Sequence, residues 1–329
     1  MTTIQELKET LGNSATGQYT LLQGKNRTTQ FGCAYKELLL ADYTSSVRVY
    51  VWDKQGLLDR IPASVPTPIE ATLSARRLDN WIVADLLSIH KLDTHEITNA
   101  AALQPRKTCP IGAQPALDKL VRFVAQLKPA TLRTFTNRVL LDPEVAPMLT
   151  TCKASQDHHH SQAGGLLTHS IEVLEITRDM IGNRLTPLER SITEIAALLH
   201  DAGKLRAVGA STVRPIHCQL VSHGAQTTRM LDSHLQWLWA RAPEMAAGLD
   251  YTLEFLAHPA TGQKFARFLG ADLVRAADRM SAALCNRKRL HDLVATTLPT
   301  EATKRHSIRN PSAVHRLAAM HKPSTKSRC

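Results

Sequence analysis

The side chains best suited to chemistry lie in one stretch of the sequence. It runs from His158-His159-His160 through Gly164-Gly165-Leu166-Leu167-Thr168-His169 to Leu198-Leu199-His200-Asp201-Ala202-Gly203-Lys204. The adjacent His200-Asp201 pair closes an apolar, helix-like run, His169 precedes it on another, and Asp278 follows on a third. Nitrogen and oxygen donors with no thiolate suit Mn, Fe, Mg, Co or Zn in a working site better than a closed structural zinc. We expect one or two divalent ions per chain, manganese first. Ions held there would lower the pKa of a bound water and polarise phosphoryl oxygens, which is the chemistry of phosphate-ester cleavage.

Helical spacing must place these groups. His169 shares a stripe with Leu166, Val173, Ile176 and Met180, and His200 follows Ile192, Ala196 and Leu199. Asp278 shares a stripe with Ala271, Val274, Ala282 and Cys285. The pattern turns the ionisable groups inward, where an unpaired imidazole or carboxylate is costly or becomes neutral. One histidine on an apolar stripe is more often a core residue satisfied by a hydrogen bond. Several on successive helices are better explained by a shared cation. Asp201 is the expected bridging ligand, with Gly203 turning the chain away. Lys204 either neutralises a phosphate oxygen in the transition state or is an ordinary cation at a helix end. His159 and His160 either touch substrate or pack the loop, and Gly164 and Gly165 let that loop approach the site. His217 and His234 read as ordinary histidines.

The fold class expected is α+β. Tyr19–Leu22, Tyr35–Leu40, Val47–Trp52, Ile69–Leu73 and Trp81–Leu87 are short strand candidates separated by Gly, Asp, Asn or Pro. Five such strands suit an OB-like β-barrel whose exposed face holds single strands with cations and rings. Val47, Val49 and Val51 alternate with Arg48, Tyr50 and Trp52. Lys25, Arg27, Lys36, Arg48 and Trp52 are therefore the candidate nucleic-acid contacts, with Arg76 and Arg77 nearby, although the rings could equally be core. From Ala113 the period becomes helical, with breaks near Pro129, Pro143, Pro187, Gly203, Pro243 and Pro259. The organisation expected is a helical lead-in (1–16), the barrel (17–92), a linker (93–112), an all-α domain (113–298) and a basic flexible tail (299–329).

A net charge of +11 over 329 residues admits an anionic partner, nucleic acid above all, or solubility alone. The first residues contain no apolar signal core, and no run is long enough to cross a bilayer. The six cysteines form no CxxC pair, which argues against a zinc ribbon or a compact disulfide framework. A cytoplasmic protein without membrane contact is expected.

His169, His200-Asp201 and Asp278 resemble the H…HD…D signature of the HD superfamily of metal-dependent phosphohydrolases, which are all-helical. His159-His160-Ser-Gln-Ala-Gly-Gly-Leu-Leu-Thr-His169, Leu198-Leu-His-Asp-Ala-Gly-Lys204, Gln219-Leu-Val-Ser-His223 and Ala277-Asp278-Arg-Met-Ser-Ala are similar to the YhaM-type 3′–5′ exoribonucleases. Those proteins place an OB domain first, and Thr28 to Tyr35, Ala41-Asp42 and Val51-Trp52-Asp53 resemble that part in order and spacing. The resemblance implies His223 and His258 as ligands of a second metal. This chain departs from the branch at Ala257-His258-Pro259-Ala260, which lacks a second histidine. Gln156-Asp-His-His-His160 with Gly-Gly-Leu-Leu also resembles the TraI-type domain of MobH conjugative relaxases, which would act on DNA. The activity expected is hydrolysis of single-stranded RNA or DNA, with an exoribonuclease first. A relaxase-type DNA-processing protein, an HD nucleotide phosphohydrolase and a binding protein with a degenerate pocket are the alternatives.

Overall fold

A computed structural model describes residues 1–52, 56–155, 160–209, 220–258 and 266–297, with side chains to 284. Asp53, His159, His217, Pro259 and the basic tail fall outside the described residues. Met1–Ser281 forms one compact unit. The second, Ala282–Cys329, is described only where the last helix runs on to Thr297.

β-Branched and aromatic residues alternating with polar ones build the strands Ser14–Thr28 (β1), Ala34–Ala41 (β2), Ser46–Trp52 (β3), Thr67–Leu78 (β4) and Trp81–Lys91 (β5). They close into a barrel in the order β1-β2-β3-β5-β4. β3 and β5 run parallel and the other pairs antiparallel. The period of two sends Val47, Val49 and Val51 inward with Ile69, Leu73, Leu38 and Leu40. A short helix, Ile4–Glu9 (α1), starts at a Thr3/Glu6 capping box and contributes Ile4 and Leu7 to the same core.

Residues 93–112 are packed rather than a free tether. They form 3-10 turns at Ala100–Leu103, Arg106–Thr108 and Ile111–Ala113. Ala100, Ala101, Leu103 and Cys109 are buried in the core of the helical part. Backbone groups that a loop would leave to water are bonded across it: Thr20 donates to the Leu103 carbonyl at 2.7 Å, and Asn137 donates to that of Ile97 at 2.9 Å. The prolines and polar residues that suggested a linker are the residues that make these turns.

The helices are Gln114–Gln126 (α2), Ala130–Leu140 (α3), Gly165–Ile181 (α4), Pro187–Leu199 (α5), Lys204–Ala207 (α6), His223–Trp239 (α7), Pro243–Ala257 (α8) and Leu269–Thr297 (α9). Pro187 and Pro243 sit at helix starts, where no donor is lost. Arg178 of α4 makes a bidentate pair with the buried Glu194 of α5, at 3.0 and 3.2 Å, joining two helices that matter below. Among the described residues no helix is long and apolar enough to cross a membrane.

Candidate metal centre

Local sequence fixes where each candidate donor falls. α4 starts at Gly165 because Gly164 takes a left-handed φ of +76°. A Cβ on Gly165 would lie 1.9 Å from the His160 carbonyl oxygen, so only glycine lets the preceding loop lie across the helix start. His169 lies one turn in and is fully buried. α5 begins at the Thr186/Glu189 capping box and ends at Leu199, so His200 and Asp201 leave it on the core side.

The structure brings His169, His200, Asp201 and Asp278 together, with one donor atom of each within 4.8 Å of the others. His169 Nε2 stands 3.2 Å from Asp201 Oδ2 and 3.2 Å from Asp278 Oδ1. His200 Nε2 stands 3.4 and 3.7 Å from the same two oxygens. Ions that bind nitrogen and oxygen at about 2.0–2.2 Å hold their ligand atoms about 3–3.5 Å apart, so the spacing suits one ion. The donor chemistry agrees. His200 Nδ1 lies 2.8 Å from the Ala197 carbonyl, which can only accept, so this nitrogen carries a proton. In the neutral ring Nε2 is then a lone pair, buried, facing two carboxylates and making no hydrogen bond of good geometry. Acceptors aimed at acceptors call for a cation.

Electrostatics follow from that crowding. Burial pushes the Asp201 carboxyl up, but the positive charges of His200 and Lys204 outweigh it and hold it well below the usual range. Burial likewise works against a charged His200, yet Asp201 and Asp278 raise its pKa to about 10. A proton thus occupies His200 where a metal could act instead.

Around this group the structure places the remaining expected residues. Lys204 Nζ lies 2.5 Å from Asp201 Oδ2, an ion pair between residues three apart. His223, at the start of α7, faces the other oxygen of Asp201 at 3.3 Å. His258 is exposed at the end of α8 with Nδ1 3.0 Å from the Glu254 carbonyl, outside the metal-capable groups found among the described residues. Gly224 packs its Cα against Ala257, which brings the chain at His223 beside the chain at His258. His160 is mostly buried and pairs with Glu172 at 2.9 Å. His234, read as ordinary, pairs with Asp142 at 2.8 Å.

The role expected for Gly203 is corrected. Its φ and ψ, −60° and −16°, are helical, and the chain continues directly into α6. Glycine is needed there for space: a Cβ would lie 2.0 Å from the His223 carbonyl oxygen and 2.4 Å from the Thr227 nitrogen. Sequence reasoning missed Thr227. Its buried hydroxyl accepts from Gly203 N–H at 2.8 Å and lies within donating reach of the His200 and His223 carbonyls, at 3.1 and 3.0 Å. It also missed Ser281, whose hydroxyl lies behind His169, and Glu172. Their one signal was spacing: Glu172 is three residues after His169, and Ser281 three after Asp278.

On the barrel, pairing sets Arg27, Tyr35 and Trp52 in one cross-strand row and Lys25, Glu37 and Tyr50 in the next, with Arg48 beyond. The Tyr35 and Trp52 rings lie 4.9 Å apart and Trp52 is 37% exposed. Glu37 lies 3.1 Å from Arg27 and 3.8 Å from Arg48. Lys36 differs from the expectation. Strand alternation turns it away from this row, and its Nζ meets the Leu58 carbonyl at 3.4 Å.

Comparison with known proteins fits this geometry. Residues 166–283, which span all four clustered side chains, match the HD domain family. Residues 119–208 match the TraI_2 family, described as "Putative helicase". The chain is also similar to the 3′-5′ exoribonuclease YhaM of Oceanobacillus iheyensis, 21% identical over 222 residues. That match covers 65% of this chain and 66% of the relative, just under two thirds of its length.

Proposed function

We propose that this protein is a metal-dependent phosphodiesterase that shortens single-stranded nucleic acid, RNA first, from its 3′ end. The observation that carries the hydrolase reading is the inward convergence of His169, His200, Asp201 and Asp278, with one donor atom of each within 4.8 Å of the others. The similarity to an exoribonuclease supports the substrate and direction. The Tyr35–Trp52 ring pair, with Trp52 exposed, beside Arg27 and Arg48 supports an OB-like, strand-holding role for the barrel.

A divalent cation, manganese first, would supply Lewis acidity and a water of lowered pKa at this position. His169 and His200 would hold it through Nε2, and Asp278, half-exposed, would close the set from the solvent side. Asp201 offers Oδ2 to the buried group and Oδ1 toward His223, so the carboxylate suits bridging to a second ion. A second ion would need His258 to turn from Glu254 or water to complete its shell. Lys204 shares Oδ2 with the metal ligands, and a cation there would repel its ammonium outward, toward an incoming phosphate.

The test uses 5′-labelled RNA and DNA of one sequence, wild type and Asp201→Ala, with Mn²⁺ or Mg²⁺. A ladder receding from the 3′ end of RNA, absent with the variant, is the expected result. Cleavage by Asp201→Ala at the wild-type rate would sink the mechanism. The TraI_2 match favours a second reading, a relaxase-type protein acting on DNA; a discrete nick or a DNA-only response selects it.

A further inference from the structure

Behind the ligand His169 lies a chain of polar groups that the reaction does not itself require. Its Nδ1 is 3.1 Å from Ser281 Oγ, and Ser281 Oγ is 2.8 Å from Glu172 Oε2. The same carboxylate oxygen lies 2.9 Å from His160 Nε2. Proton accounting gives each bond one direction. An ionised carboxylate only accepts, so Ser281 gives its single proton to Glu172, and His160 donates from Nε2. Having no second proton, the Ser281 oxygen must accept from His169 Nδ1–H. The neutral His169 ring is then locked with its Nε2 lone pair toward Asp201 and Asp278, the form a metal ligand needs.

The surroundings hold this chain firmly. Ser281 is fully buried, and Glu172 is half-buried on α4, one turn beyond His169. His160 sits at a left-handed φ of +54°, a conformation that a residue without glycine's freedom adopts at a cost. The bare Gly165 accommodates its carbonyl, and its ring lies 5.6 Å from that of His169. From this position the imidazole reaches Glu172.

We propose that Glu172, Ser281 and His160 are positioning residues: a carboxylate–hydroxyl relay that fixes the tautomer of His169 and strengthens it as a metal ligand, with His160 anchoring the carboxylate. The inference rests on the metal-centre reading above and adds residues that touch neither ion nor substrate. Removing such outer partners typically lowers metal affinity about 10–100-fold.

The experiment measures Mn²⁺ affinity of the full chain, stripped by chelator and titrated in competition with a metal-sensitive dye, beside thermal unfolding of the metal-free form. Ser281→Ala and Glu172→Gln are each expected to weaken Mn²⁺ binding about 10-fold or more with metal-free unfolding unchanged. Ser281→Thr, which keeps the hydroxyl, is expected to bind more tightly than Ser281→Ala. Affinities of Ser281→Ala and Glu172→Gln within twofold of wild type overturn the relay while leaving the metal centre intact. A loss that only follows reduced metal-free stability also overturns it, since that is packing. Wild type that binds no Mn²⁺ overturns the metal-centre reading itself, and the relay with it.

Discussion

Gly203→Ala sets two physical arguments against each other. The backbone at Gly203 is helical, φ −60° and ψ −16°, and a Gly→Ala change at an unstrained site stabilises a protein by about 0.4–1 kcal/mol through the unfolded chain. Packing predicts the opposite. The new Cβ would lie 2.0 Å from the His223 carbonyl oxygen and 2.4 Å from the Thr227 nitrogen, both backbone atoms of the first turn of α7. Reaching even the tight limit of 3.0 Å needs a retreat of about 1 Å by that turn. The retreat would stretch the 2.8 Å bond from Gly203 N–H to Thr227 Oγ1 and the 3.3 Å approach of His223 to Asp201. We expect a net destabilisation of about 1–3 kcal/mol from overpacking. We also expect cleavage to fall about 100-fold, the usual consequence of misplacing a working group by 1 Å. Denaturant unfolding and Mn²⁺-dependent cleavage measure the two effects. A variant as stable as wild type and equally active would refute the claim that this glycine is required by close packing of α7 on the His200-Asp201 turn.

Further expectations concern separate parts of the molecule. Thr227→Val keeps the shape but leaves the Gly203 N–H without its acceptor; stability should drop by about 1–3 kcal/mol, read by denaturant midpoint, with Mn²⁺ affinity reduced. Arg48→Ala combined with Trp52→Ala should weaken binding of a single strand while sparing cleavage of a short phosphodiester; equal losses in both assays would remove the barrel from substrate holding. For metal-free protein, His200 titrates near 10 because Asp201 and Asp278 overcome its burial. A raised pKa means the folded chain holds the proton more tightly. Its stabilisation is therefore whole below the unfolded value of about 6.5 and fades as pH rises through about 10. The stability difference between wild type and His200→Gln should accordingly shrink from pH 6 to pH 10, and a difference that stays constant would count against the cation-demanding cluster.

The amino-acid sequence determined most of the local structure and the identity of the clustered donors. Alternating Val47, Val49 and Val51 needed one apolar face, so β3 and its outward Arg48, Tyr50 and Trp52 followed from the period of two. His169 and His200 fell on buried helical stripes because a 3.6-residue turn puts them among leucines and isoleucines. Pro187 marked a break between helices, and the structure starts α5 there with a capping box local to four residues. What tertiary structure decided was everything that depends on a partner distant in sequence. Lys36 looked like its basic neighbours until strand pairing fixed which face it occupies. Residues 93–112 read as a linker because the groups that bond their backbone, Thr20 and Asn137, lie far away along the chain. Gly203 read as a turn because nothing near it in sequence shows the α7 backbone against its Cα. Thr227, Ser281 and Glu172 carried no motif at all, since a hydroxyl or carboxylate supports a metal ligand only after folding brings it within hydrogen-bond reach. Composition and period act over a few residues; the accounting of buried donors and acceptors closes only across the whole fold.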